Sequence, residues 1–203
     1  MKEPYTISFE IAGTAAMFTR PDSGAAPISY PVPTYSAAKG MFEAVARYTS
    51  AYIRPTKVEI CLPIKFHKYI TNYGGPLRKA NQIFKGASYQ IPATILVDVC
   101  YRIHGVVEAA AESPNGNNHL HAVQEIFLRR LRKGQYFYTP CLGWKEFVPS
   151  YVGPLRDGTE VEKSINQILP SMLHSVFDNP INGKPNPTYS QNVEIIEGVL
   201  KYD

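Results

Sequence analysis

Apolar and polar side chains alternate over residues 5–11, YTISFEI, and a period of two predicts a strand with one buried face. A proline-rich loop, RPDSGAAPISYPVP, follows at 20–33. From Thr34 to Tyr52 the spacing changes to that of a helix. Ala37, Met41, Ala44 and Tyr48 share one face, with Ala38 and Val45 at its edge. Thr34 or Ser36 is placed to cap this helix, and Glu43 and Arg47 lie opposite the apolar face as an i,i+4 pair. The small residues on its buried face let it lie close on a sheet. Residues 56–64, TKVEICLPI, predict a second strand, and 94–110, TILVDVCYRIHGVVEAA, a long strand or a pair of them. Between them Gly74-Gly75-Pro76 marks a turn, so 62–94 is expected to form the two arms of a protruding hairpin.

Residues 112–121 carry loop composition, and 122–135, AVQEIFLRRLRKGQ, predict a second helix ended by Gly134 with basic residues in its last turn. Its apolar stripe is Val123, Ile126, Phe127 and Leu131. Residues 136–152 are strand-like with a glycine break. Strand, helix, strand, insertion, strand, helix, strand is a βαββαβ order. It predicts an α+β fold with a ferredoxin-like (RRM-like) core. The expected organisation is a core domain over 1–154, with the hairpin inserted at about 62–94, and a small C-terminal β subdomain over 155–203. In that last part PSMLHSVFD and NVEIIEGVLKY are expected to pair.

Composition, 44% hydrophobic and 19% charged, is that of a folded globular chain rather than a disordered one. Cys61, Cys100 and Cys141 are widely spaced with no CxxC, as expected of reduced thiols in the cytoplasm. The N-terminus shows no signal-peptide pattern and no apolar run reaches membrane-spanning length, so no membrane partner is expected.

The distribution of charge changes the picture more than its total of +4. Residues 60–97 hold Lys65, Lys68, Arg78, Lys79 and Lys85 and no acidic residue, whereas 155–203 net −3. Phe66, Tyr69, Tyr73, Phe84 and Tyr89 are threaded through the basic segment. A solvated basic loop is one account of it. A polyanion partner is the better one, because ammonium and guanidinium groups hold phosphates while rings stack on bases; both suit single-stranded nucleic acid.

Other candidates come with alternatives. Lys39 and Gly40 near the first helix start either pack or approach a phosphate. Arg130 falls inside the apolar stripe of the second helix, flanked by Arg129 and Lys133. Either these residues complement the helix C-terminus, Arg130 snorkelling out on its long stem, or they contact an RNA backbone. His119 and His121 have no Cys, Asp or third His beside them, so no metal site is expected; acid–base chemistry on RNA is their other use. Gly183-Lys184 is followed by proline and is no phosphate loop. No cofactor is implied.

VPTYSAAKGMFEAV (32–45) resembles the signature of the Cas-five family, CRISPR-associated proteins of the RAMP superfamily. EIFLRRLRKGQYFYTPCLGWKEFVPSY (125–151) resembles its subtype I-C branch, and AAMFTRP (15–21) and MLHSVFD…IIEGVL are similar to the two ends. The resemblance implies a subunit of the type I surveillance complex, Cascade, that grips the 5′ handle of the guide RNA with a β-hairpin thumb. It also implies backbone and large subunits as neighbours and target DNA as an indirect partner. The RNA-binding set expected from charge and resemblance together is Arg20, Lys39, Lys65, His67, Lys68, Arg78, Lys79, Lys85, Arg129, Arg130, Lys133, Trp144 and Lys145.

The I-C branch often also cuts precursor guide RNA without metal, using a Tyr after the first helix and a Lys-His just inside the second. Tyr52 in YIRP matches the first, but Ala122-Val123 stand at the second; His119 and His121 are the nearest substitutes. A non-catalytic RNA-binding subunit is therefore expected. A metal-independent endoribonuclease is the alternative, and a generic single-stranded RNA-binding domain of RRM type a third.

Overall fold

The computed structural model describes residues 5–73, 79–86, 89–111, 118–178 and 180–202, with side chains at 71–73 and 89 excluded. Its strands are β1 (Thr6–Ala16), β2 (Ala51–Ile60), β3 (Phe66–Tyr73), β4 (Tyr89–Ala109), β5 (Tyr151–Gly153), β6 (Gln167–Ser175), β7 (Thr188–Ile196) and β8 (Val199–Lys201). The helices are α1 (Tyr35–Val45), the short α2 (Ala80–Phe84) and α3 (His119–Lys133). The fold is α+β, with one antiparallel sheet in the order β5-β1-β4-β2-β8-β7-β6.

β4 organises this sheet. Along one edge it pairs with β1 from Thr6↔Val106 to Ala16↔Leu96. Along the other it pairs first with β3, Tyr73↔Tyr89 to Phe66↔Leu96, and then with β2, Ile60↔Tyr101 to Ala51↔Ala109. The change of partner falls at Asp98, whose φ of +53° breaks the pleat, as an irregular residue in a bent strand does. β3 and the start of β4 thus run on beyond the end of β1 as an arm, with α2 between them in the chain.

Both long helices pack on one face. The rings of Phe9 on β1, Phe42 on α1 and Phe127 on α3 meet edge-on or tilted, with centroids 5.1, 5.7 and 5.9 Å apart, and all three are fully buried. Gly105 on β4 is what allows this approach: a Cβ there would lie 2.8 Å from Ile53 Cγ2 and 2.9 Å from Phe42 Cζ. Thr34 caps α1, its hydroxyl accepting from the Ala37 N–H at 3.1 Å. Gly134 closes α3 in the left-handed conformation, φ +62°.

Several boundaries differ from expectation. α1 ends at Val45 rather than Tyr52, because Ala46 is already extended and β2 begins at Ala51. Arg47 therefore lies beyond the helix, and its i,i+4 geometry with Glu43 does not arise. His119 and His121 stand in the first turn of α3, not in a loop, since Asn118 Oδ1 accepts from the His121 N–H and starts the helix early. The tip glycines Gly74 and Gly75 lie outside the described residues.

Most of 136–152 is irregular rather than strand. The residues there are aromatic because they brace the fold from a loop. Leu142 and Phe147 are buried, Tyr136 donates to Val152 O, and Tyr138 donates to Gly40 O.

In the C-terminal part β6 pairs with β7, joining the two segments expected to pair, and NVEIIEGVLKY, expected as one partner, is split between β7 and β8, which also pair. β8 also pairs with β2, and Leu169, Met172, Ile195 and Leu200 belong to the same buried cluster as Phe9. Among the described residues no helix is long and apolar enough to cross a membrane.

One fully buried carboxylate ties loop 154–160 to the sheet. Glu10 on β1 accepts from Arg156 Nε at 2.6 Å, from the Arg156 main chain at 3.0 Å and from Thr159 Oγ1 at 3.0 Å. Burial pushes the Glu10 pKa up, but the Arg156 and Thr159 hydrogen bonds outweigh it and hold the carboxyl below its ordinary range.

Candidate nucleic-acid interface

The arm presents its cations outward. Lys65, His67, Lys68, Lys79 and Lys85 are all exposed, and so are Phe66, Ile70, Ile83 and Phe84, the last at 94%. Strand alternation places Phe66, Lys68 and Ile70 on one face of β3 and His67 and Tyr69 on the other. Lys79 starts α2, where Gln82 Oε1 accepts from its main-chain N–H, and Lys85 ends it. Asp98, just past the acid-free segment, lies 3.7 Å from Lys65, with both side chains more than half exposed. Such a pair is weak in water. Arg78 lies outside the described residues.

The foot of the arm joins residues far apart in sequence. Tyr69 meets Phe147 edge-on at 5.7 Å, and Phe147 stacks on Trp144 with planes 3° apart. Trp144 Nε1 donates to Thr19 Oγ1 at 2.9 Å. Trp144, the exposed Lys145 and Arg20 are thus brought to the base of the arm, and Arg20 pairs with Asp22 at 2.7 Å. Here the structure brings three separate stretches of sequence together, the arm, 19–20 and 144–147.

The α3 cations lie apart from that chain of contacts. Arg130 reaches through the apolar stripe to donate to Val45 O at 3.1 Å, satisfying a carbonyl at the end of α1. Arg129 and Lys133 are exposed on the same helix. Lys39 is bound to Asp178 at 2.7 Å, with its ammonium 5.6 Å from the centre of the Tyr52 ring.

Tyr52 is on β2, opposite Glu108 on β4. Its phenol donates to Glu108 Oε2 at 2.7 Å, and Arg54 Nε donates to the other oxygen at 2.7 Å. The hydrogen bond to that carboxylate, with burial behind it, pushes the Tyr52 pKa up to about 12. Glu108 itself is held below its ordinary range: burial raises it, but Arg54 and Tyr52 outweigh that. Val123 is buried and shares a small pocket with Tyr52. Strand alternation places Tyr52 with Arg54 on one face of β2 and the buried Ala51 and Ile53 on the other, toward the core that holds Val123.

Among the described residues His119 Nε2 is buried without a hydrogen-bond partner, while His121 is exposed with its ring 5.8 Å from that of Tyr5. No hydrogen bond or ring contact among the described residues joins either histidine to Tyr52. Glu108 and Glu10 were missed in the sequence, since their partners come from register and from loop closure rather than from spacing.

The antiparallel sheet with its exposed basic, aromatic arm defines an α+β protein that carries one positively charged projection. The chain belongs to the CRISPR-associated protein (Cas_Cas5) family, whose Cas_Cas5d model matches residues 6–177. It is 32% identical over 187 residues to the CRISPR pre-crRNA endoribonuclease Cas5d of Thermus thermophilus, covering 91% of this chain and 79% of that one. It is 29% identical over 194 residues to the Cas5d endoribonuclease of Mannheimia succiniciproducens, covering 84% of each.

Among solved structures, a CRISPR-associated protein superposes with a TM-score of 0.74 at 19% identity, over 98% of this chain and 91% of that one. A functionally uncharacterized protein of Streptococcus mutans, SMU1763c, gives 0.69 at 17% identity, over 98% and 92%. A chain of a CRISPR RNA-guided surveillance complex gives 0.55 at 16% identity, over 97% and 90%. At these identities the structures share the fold.

Proposed function

We propose that this chain is the subunit of a cytoplasmic type I CRISPR surveillance complex that binds and caps the 5′ handle of its guide RNA. The observation that carries this is the arm: Lys65, His67, Lys68, Lys79 and Lys85 stand exposed on one projection, interleaved with exposed rings. Trp144 and Lys145 continue that surface at its foot. Phosphates are held by the cations and splayed bases by the rings. Ile83 and Phe84, apolar and outward, are suited to a neighbouring protein subunit.

We read β5-β1-β4-β2 as a ferredoxin-like (RRM-like) βαββαβ core, with α1 and α3 as its two crossovers. The thumb at about 62–94 is inserted between its second and third strands, and 155–203 forms the small C-terminal β region. The strand order and the shared helix face support this.

The names of the two curated relatives favour a second reading, cleavage of precursor guide RNA. What supports binding without cutting is the state of Tyr52. Its proton is committed to Glu108, and Ala122-Val123 stand where the I-C branch resemblance implies a Lys-His pair. Labelled repeat RNA incubated with the protein in EDTA separates the readings. Binding without cleavage is expected, with preference for the handle over unrelated RNA. A product ending in a 2′,3′-cyclic phosphate, lost in Tyr52→Phe, would establish cutting. Equal affinity for every single strand would reduce the protein to a generic RNA-binding domain.

A further inference from the structure

β7 and β8 part after two residue pairs, Ile195↔Leu200 and Ile196↔Val199. β8 stays with β2 as far as Lys57↔Lys201, while β7 continues along β6. At Asn192 the β6–β7 ladder is interrupted: Asn192 has φ +51°, and the β6 residue between the pairs on either side of it is Pro170, which has no N–H to give. The gap left between the diverging strands is a cavity of about 500 Å³, bordered by β6, β7, β8 and the first residue of α1. Packed interiors rarely keep voids much larger than a water molecule, and this volume is in the range of ligand pockets.

We propose that this cavity receives a single unstacked nucleobase of single-stranded RNA, a second contact on the polyanion held by the arm. Three rings wall it. Tyr35 and His174 stack with centroids 4.1 Å apart and planes at 14°, and Tyr202 meets Tyr35 edge-on at 5.9 Å. The Tyr202 ring is fixed by its hydroxyl, which donates to Pro33 O at 2.8 Å. Met172 and Leu200, both buried, close the apolar floor.

Beside the rings, β7 has no ladder partner on its β8 side over Ser190–Glu194 among the described residues, so a strand edge with its main-chain donors and acceptors borders the space. A base presents flat π faces and a perimeter of in-plane donors and acceptors. That is the complement of a ring wall beside a strand edge. Lys39, one helical turn beyond Tyr35, adds a cation on the same side of α1, held by Asp178. An extended peptide suits the cavity less, because the Ile195↔Leu200 pairing closes one end of the edge and leaves only five residues free.

This inference rests on the RNA-binding reading, and one experiment separates their failures. Repeat RNA substituted with 4-thiouridine is photo-crosslinked to the whole protein and the attached peptides are mapped. Crosslinks are expected both in the arm and within 172–174 or 189–202. Two variants act on the pocket: Leu173→Trp fills it, and His174→Ala removes one stacking ring. Each is expected to erase the pocket crosslinks, keep those in the arm and weaken RNA binding by about tenfold, the usual effect of one lost stacking contact. Thermal melting checks that both variants fold, and His174→Ala carries the test if Leu173→Trp does not. Crosslinks confined to the arm, with unchanged affinity in a folded variant, overturn the pocket and leave RNA binding standing. No crosslink anywhere in the unaltered protein overturns both.

Discussion

The phenol of Tyr52 and the carboxylate of Glu108 share a 2.7 Å hydrogen bond across β2 and β4, between residues 56 apart in the chain. Glu108 stabilises the protonated phenol, so the tyrosine resists ionisation up to about pH 12. Glu108→Gln removes that charge and is expected to bring Tyr52 back toward the ordinary value near 10. Titration of ring-labelled tyrosine by NMR, with Tyr52→Phe to assign the signal, measures it. An unchanged midpoint in the glutamine variant would show that the carboxylate is not the cause.

Removing charge from the arm tests its grip. Alanine at Lys65, Lys68, Arg78, Lys79 and Lys85 together should weaken RNA binding and flatten its salt dependence. At roughly 0.7 per phosphate contact on a single strand, the slope of log K against log salt should fall by about 3. Binding measured from low to moderate salt gives the slope directly. The same slope in the fivefold variant would move the interface elsewhere.

Trp144 separates stacking from scaffolding. Trp144→Ala loses both the Phe147 stack and the Thr19 hydrogen bond, so some stability goes with any RNA contact. Trp144→Phe keeps one aromatic ring for stacking and loses the N–H donor together with the second ring of the indole. If Trp144 stacks on RNA, the alanine variant binds about tenfold more weakly and the phenylalanine variant recovers most of it. Equal affinities in both would leave Trp144 a purely structural residue.

The Glu10 cluster predicts how the fold responds to acid. The folded-state pKa of Glu10 is depressed, so its contribution is complete above the unfolded value near 4.5 and is lost as pH falls through the folded value. Chemical denaturation should therefore show stability declining below about pH 4.5 in the unaltered protein. Glu10→Gln leaves the half-exposed Arg156 in water rather than a buried charge, so it is expected to cost about 1.5–3 kcal/mol at neutral pH, the worth of a charged hydrogen bond, and to flatten the acid limb. A variant with the same acid slope would assign that slope to other carboxylates.

Gly105 carries the helix–sheet contact. A methyl group there would sit 2.8 Å from Arg54 O and 2.8 Å from Ile53 Cγ2, backbone on one side and core on the other. Gly105→Ala should cost about 1–3 kcal/mol by overpacking, read as a lower denaturation midpoint. No loss would mean that β2 can retreat freely.

Local pattern alone carried much of this protein. The strand expected over 5–11 is the start of β1, Thr34, one of the two expected caps, caps α1, and Gly134 stops the second helix, since each is set by neighbouring residues. The end of α1 was not legible, because Tyr48 keeps a helical spacing by chance, while pairing with β4 makes a strand of the chain from Ala51 onward. The same holds for 136–150, whose aromatic composition suits a strand but whose rings are consumed in bracing a loop.

Charge distribution is a property of the chain, and the sequence by itself determined where the surplus of positive charge lies. Which side chains stand together is a property of register and closure, and only the tertiary structure decided that Tyr69 leads through Phe147 to Trp144, that Arg130 serves α1, and that Glu108 holds Tyr52. Each of those contacts joins residues more than fifty positions apart or follows a chain of such contacts, and no local periodicity encodes a distance across a sheet.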